Sequence, residues 1–190
     1  LGINTFVALA TTRILTVQQP GTATVAVTQA ADNPNSNNIK ADATNGVQSK
    51  ETIFSLNAKA TGGGAALLRL QVTYASAASG VTLPSILYLY DGDTLVASTT
   101  PGVSGIAVFE NFVLNLTQDV AKNLKVKASW AAAVAFESGG AAFSLTGGIP
   151  VGTAANLLTG VYQRANGQQL GIINGTIVPS NIFWISESGL

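Results

Sequence analysis

Residues 1–17 read Leu-Gly-Ile-Asn-Thr-Phe-Val-Ala-Leu-Ala-Thr-Thr-Arg-Ile-Leu-Thr-Val, and the turn Gln18-Gln19-Pro20-Gly21 closes them. As a strand, this stretch sends Leu1, Ile3, Val7 and Leu9 to one side and Phe6, Ala8 and Ala10 to the other. Ile14, Leu15 and Val17 continue it. Side chains alternate along a strand, so a segment that is apolar at both parities needs cover on both faces. An arm of that kind ahead of a β-domain is what a subunit needs to plug into a neighbour. The expected assembly residues are Leu1, Ile3, Phe6, Val7, Leu9, Ile14, Leu15 and Val17.

Working outward from the arm, period two recurs along the chain. Ala23, Val25 and Val27 alternate with Thr22, Thr24 and Thr28. Phe54, Leu56, Ala58 and Ala60 alternate with Ser55, Asn57 and Lys59. Leu68, Leu70, Val72 and Tyr74 alternate with Arg69, Gln71 and Thr73, and Leu124, Val126, Ala128 and Trp130 with Lys125, Lys127 and Ser129. Phe112, Leu114 and Leu116 repeat the pattern. One apolar face and one wet face is the signature of antiparallel sheets. Asn45-Gly46, Asp91-Gly92, Asn166-Gly167 and Asn174-Gly175 are hairpin pairs, because Asn or Asp before Gly readily takes positive φ. The polar stretch from Ala30 to Lys50 reads as a long surface loop. Short helices are expected only at Gln118–Asn123 and Thr153–Leu158. About a dozen short strands point to an all-β fold, a jelly-roll-like β-sandwich with an extended N-terminal donor strand. The expected division is an arm over residues 1–19 and one sandwich domain over 20–190.

Composition narrows the function. The chain has 190 residues and no Cys, Met or His; only 9% of residues are charged, nine basic and nine acidic. The missing His and Cys remove the commonest general bases, thiol nucleophiles and zinc ligands. No cofactor and no enzymatic activity are expected. Scattered, balanced charge makes nucleic acid a poor partner, and no apolar run reaches membrane-spanning length. The absence of an initiator Met is read as removal of a secretory signal peptide, which places the protein outside the cell. Lack of oxidation-prone residues suits an exposed, long-lived setting.

Three motifs touch chemistry. Asp91-Gly92-Asp93 puts two carboxylates at a hairpin tip and is a weak calcium candidate, since Ca²⁺ takes six to eight oxygens. Gly62-Gly63-Gly64 is followed by Ala65-Ala66 rather than Lys and Ser or Thr, so it is a loop and not a phosphate cradle. Asn115-Leu116-Thr117 and Asn174-Gly175-Thr176 are N-glycosylation sequons. Asn115 lies opposite in parity to Leu114 and Leu116 and should face solvent; Asn174 should sit at a hairpin tip. The run Ile182-Phe183-Trp184-Ile185 is read as a last core strand, with an interface patch as its rival.

Asn4-Thr5-Phe6, Ala8 and Leu15-Thr16-Val17 resemble the mature N-terminus of the TasA and camelysin group of secreted fibre proteins, to which the archaeal bundling pilins look related. That resemblance implies a jelly roll whose N-terminal strand fills a groove in the next subunit. Phe54-Ser55-Leu56-Asn57-Ala58, Leu87 through Ala97 and Leu124-Lys125-Val126-Lys127-Ala128 are similar to β-sandwich modules of bacterial and archaeal surface proteins, which implies a cell-surface setting. The expectation is therefore a structural subunit of an extracellular filament, a homopolymer built by strand insertion, with glycans as possible additions. The alternatives are a surface-layer or adhesin-type binding module and a viral capsid jelly roll.

Overall fold

β-branched and small residues alternating with Thr, Asn and Lys favour a pleated, half-buried surface, and the chain forms strands wherever that alternation runs. A computed structural model describes residues 22–35, 37–40, 47–73, 75–76, 84–101, 106–130, 141–144, 158–174 and 182–186. Fourteen strands follow in order: β1 (Thr24–Gln29), β2 (Asn37–Lys40), β3 (Val47–Thr61), β4 (Ala65–Thr73), β5 (Ala75–Ser76), β6 (Ile86–Asp91), β7 (Thr94–Thr99), β8 (Ile106–Phe109), β9 (Leu114–Leu116), β10 (Ala121–Trp130), β11 (Ala141–Ser144), β12 (Leu158–Arg164), β13 (Gln169–Asn174) and β14 (Ile182–Ser186). The fold is all-β, and no helix occurs among the described residues.

The first sheet has the order β1-β3-β10-β6-β7 and is antiparallel throughout. The second has the order β13-β12-β4-β8, with β9 also paired to β4. One apolar cluster joins them: Val27, Phe54, Leu56, Leu89, Leu124, Val126 and Trp130 from the first sheet meet Leu67, Leu70, Phe109, Leu116 and Tyr162 from the second. Two sheets sharing one core are a β-sandwich. A smaller third sheet, β2-β14-β11-β5, contains the parallel pair β14–β2. The tail run Ile182–Ser186 is thus an interior strand of that sheet, between β2 and β11.

Several local readings change. The stretch from Ala30 to Lys50 is not all loop: it holds β2 and the start of β3, and Ile39 is buried in the core. Ala121–Asn123 is strand rather than helix, because β10 pairs there with Lys59, Ala58 and Asn57 of β3 and ladder bonds outweigh weak helix propensity. The helix expected over Thr153–Leu158 lies outside the described residues except Leu158, which opens β12. In β4 the alternation breaks. Val161 pairs with Arg69 while Tyr162 pairs with Leu67, leaving Leu68 as an extra, bulged residue. Leu67 rather than Leu68 then enters the core.

Ser55 was expected on the wet face and is fully buried. The turn after β1 covers it: Asn33 Oδ1 accepts from the Ser55 amide at 2.9 Å, and the Ala30 amide donates to Ser55 O at 3.0 Å. Asp32 in the same turn accepts from Asn123 Nδ2 at 2.8 Å and meets Lys125 Nζ at 3.4 Å. The Asn123 hydrogen bond, helped by Lys125, holds the Asp32 carboxyl below its ordinary value.

Two hairpins form where the dipeptides indicated. Gly92 takes φ +60° in the two-residue β6–β7 loop, and Gly167 takes φ +85° in the β12–β13 loop. Asn174 is the last described residue of β13, opposite Leu158, and Gly175 lies outside the described residues. Asn45-Gly46 lies outside the described residues.

Candidate strand-acceptor site

The two sides of the sandwich are built differently. On one side β1 ends the first sheet and lies beside β12 and β13 of the second. Here the carbonyl of Ala23 accepts from Arg164 Nε at 2.8 Å and from the buried Tyr162 hydroxyl at 3.3 Å. Arg164 is itself held by Gln168 Oε1 at 2.8 Å. Thr22 Oγ1 donates to Gly62 O at 3.0 Å, and a Cβ on Gly62, at φ +75°, would come within 3.0 Å of Thr22 O. The triple glycine is therefore a close-approach turn, not merely a flexible loop. Residues 22 and 23, where the N-terminal segment joins the domain, are clamped by groups from both sheets.

On the other side, β7 ends the first sheet and β8 ends the second, and the two lie beside each other. Among the described residues, no strand pairs with the outer edge of either. β7 reads Thr-Leu-Val-Ala-Ser-Thr and β8 reads Ile-Ala-Val-Phe, so neither carries a charge or a proline. Natural edges are usually blunted by Lys, Pro, bulges or cover. β7 has one such device, a bulge at Val96 between the pairs Leu89–Ala97 and Tyr90–Leu95. β8 has none: its four residues pair in unbroken register with Leu70–Thr73.

Apolar surface accompanies this edge. Ile106 on β8 is 38% exposed and Leu95 on β7 is 48% exposed, while Val96 and Ala97 lie against the core. The open run has a defined end. β8 and β9 both pair with the same side of β4, and the chain between them breaks at Asn111, which takes φ 60°. That break falls opposite the Leu68 bulge, and Arg69 Nε reaches Glu110 Oε1 at 3.1 Å across it. A strand laid on β8 therefore meets a regular ladder over Ile106–Phe109 and a kink with an ion pair beyond it.

The eight arm residues from Leu1 to Val17 lie outside the described residues, so the structure holds no view of their partners. Asp91 does not face open space: its carboxylate pairs with Lys122, and no group of three metal-ligating side chains occurs among the described residues. Asp93 is exposed at the loop. Asn115 is exposed on β9, as its parity indicated. Sequence reading did not single out Ile106, Val108, Tyr162 or Arg164. The available signal for β8 was an uncharged four-residue run just before Glu110-Asn111; nothing local marks Arg164 as a ligand of a carbonyl far away in the chain.

No family model matches the chain, and no curated protein matches it. Among solved structures, it is similar to the CssB subunit complemented with a donor strand from the CssA subunit of enterotoxigenic Escherichia coli colonization factor CS6. The identity is 9%, the match covers 86% of this chain and 97% of that one, and the TM-score is 0.34. A likeness of that degree transfers no function, and the resemblance to the TasA and camelysin group rests on the N-terminal residues alone.

Proposed function

We propose that this protein is a non-catalytic structural subunit of an extracellular filament, in which residues 1–17 of one copy add as a strand to β8 of the next. The observation that carries the reading is that, among the described residues, no strand pairs with the outer edge of β8, where Ile106 and nearby Leu95 of β7 are half-exposed. An added strand satisfies the backbone groups of that edge that no described strand pairs, and covers its apolar margin. The arm brings what such a slot takes, a strand apolar on both faces.

Geometry favours a neighbour over the subunit's own edge. The arm joins the domain on the β1 side, and β7 and β8 lie on the opposite side. Crossing the second sheet from β13 to β8 takes three strand spacings, about 14 Å at ~4.8 Å each. The polar spacer Gln18–Gly21 spans only about 13 Å at ~3.3 Å per residue. Self-insertion would drag Ile14–Val17 across the end of the sandwich; donation to another copy leaves them free to dock. A donor on one side and an acceptor on the other form a heterologous contact, which propagates as an open filament unless it closes into a ring.

Deletion of residues 1–19 tests this. The truncated protein should form no filaments by negative-stain imaging and should bind a peptide of residues 1–17. Filaments of normal length from the truncated chain would overturn the reading. An intact chain that stays monomeric at high concentration would replace it with the surface-layer or adhesin-type module.

A further inference from the structure

The outer face of the second sheet carries a hollow of about 290 Å³ beside β9, lined by Gly64, Ala66, Asn115, Gln163 and Arg164 among others. Its cause is a single cross-strand row. Asn115 of β9 pairs with Ala66 of β4, and Ala66 pairs on its other side with Gln163 of β12. The short Ala66 side chain stands between two longer ones and leaves a dip between them. The rim is already fixed: Gln163 Nε2 donates to Gly167 O at 3.3 Å. Asn115 and Thr117, the first and third residues of a sequon, are both exposed.

We propose that Asn115 is N-glycosylated and that the first sugar of the glycan lies in this hollow over Ala66. The donor class is a glycan carried on a polyprenyl phosphate or pyrophosphate, transferred by a membrane glycosyltransferase during export. The Asn115 amide nitrogen forms a bond to C1 of the sugar, the C1–O bond to phosphate breaks, the amide loses one proton, and the lipid phosphate leaves. At about 290 Å³, near the lower end for small-molecule sites of about 300 to 1,000 Å³, the hollow has room for one sugar ring. The ring's C–H face meets the Ala66 methyl, and its hydroxyls meet the Gln163 side chain on the rim. A glycan here sits next to the β9 part of the second sheet's edge. It would keep other chains from pairing there while leaving β8 open. The inference rests on export, which the proposed function also requires, but not on strand donation.

The test is peptide mapping by mass spectrometry of the protein isolated from the cells that make it, alongside a Thr117→Val variant. The Asn115 peptide should carry a glycan mass in most wild-type molecules and none in the variant. An unmodified Asn115 peptide from wild type, or a glycan mass retained in the variant, overturns the assignment. Hydrogen exchange then tests the hollow. Amides of residues 64–66 and 163–165 should exchange at least twofold more slowly in the glycosylated protein than in Thr117→Val. Equal rates overturn the docking of the sugar. Filament formation by both proteins would leave the assembly reading standing whichever way these measurements fall.

Discussion

The β1 side and the β8 side of the sandwich solve the same problem in opposite ways. Both are places where sheets end. At β1 the neighbouring sheet reaches over with Tyr162 and Arg164, and the Ala23 carbonyl is satisfied from within the domain. At β8 the first sheet's β7 lies alongside without pairing to it, and the edge residues Ile106–Phe109 carry no charge, proline or bulge. The contrast teaches that one sandwich can tie residues 22 and 23 to both sheets while, among the described residues, no strand pairs with its far edge. In the proposed filament, an anchored root would carry load from the arm into both sheets, and the β8 edge would take the next arm.

The comparison breaks most plainly if the same charge is placed on both edges. Ile106→Lys with Val108→Lys should slow filament growth by roughly a hundredfold, since losing about 2.7 kcal/mol of strand binding has that effect. Thr28→Lys, at an exposed position of β1, should change growth less than about twofold. Growth curves by light scattering decide it. Equal inhibition from the two edges would mean that β8 is not the acceptor.

A smaller effect sharpens the other half. Arg164→Ala removes a charge-assisted bond to the Ala23 carbonyl and should destabilise the domain by about 1.5–3 kcal/mol, read from denaturant midpoints. Tyr162→Phe, which deletes one neutral bond to the same carbonyl, should cost about 1 kcal/mol. No loss in either variant would show that the root is held by packing alone.

The smallest effect concerns the turn that follows β1. Asp32 is held below its ordinary value of 3.8 by Asn123 and Lys125. A depressed carboxyl contributes stability that is fully present above its unfolded-state value and lost as pH falls through its folded value. Wild type should therefore lose stability relative to Asp32→Asn as pH drops below about 4, by under ~1 kcal/mol because the pair is half exposed. Parallel curves for the two proteins from pH 6 to pH 2 would remove Asp32 from the account.

Much of this architecture was legible in the residues. Alternation placed Val25, Leu56, Leu114, Leu124 and Val126 in the core, where they lie. Asp91-Gly92 and Asn166-Gly167 marked turns that exist, because positive φ is a property of the dipeptide itself. The parity of Asn115 set it outward, as found. Each of these depends on one or two neighbouring residues and needs no knowledge of the rest of the chain.

Tertiary structure decided what depends on a distant partner. Ser55 is buried because a turn some twenty residues earlier folds over it, and Leu68 is squeezed out of register because β12 pairs on both sides of it. Arg164 acts on Ala23, 141 positions away in sequence. Whether β8 is an inner strand or an edge is set by which strands pair with β4, and Ile-Ala-Val-Phe would look the same in either place. A strand's own residues determine its alternation, because pleat geometry is local. Which strand lies beside it, and so which edge stays open, is fixed only by how all the strands divide the shared hydrogen bonds and the common core.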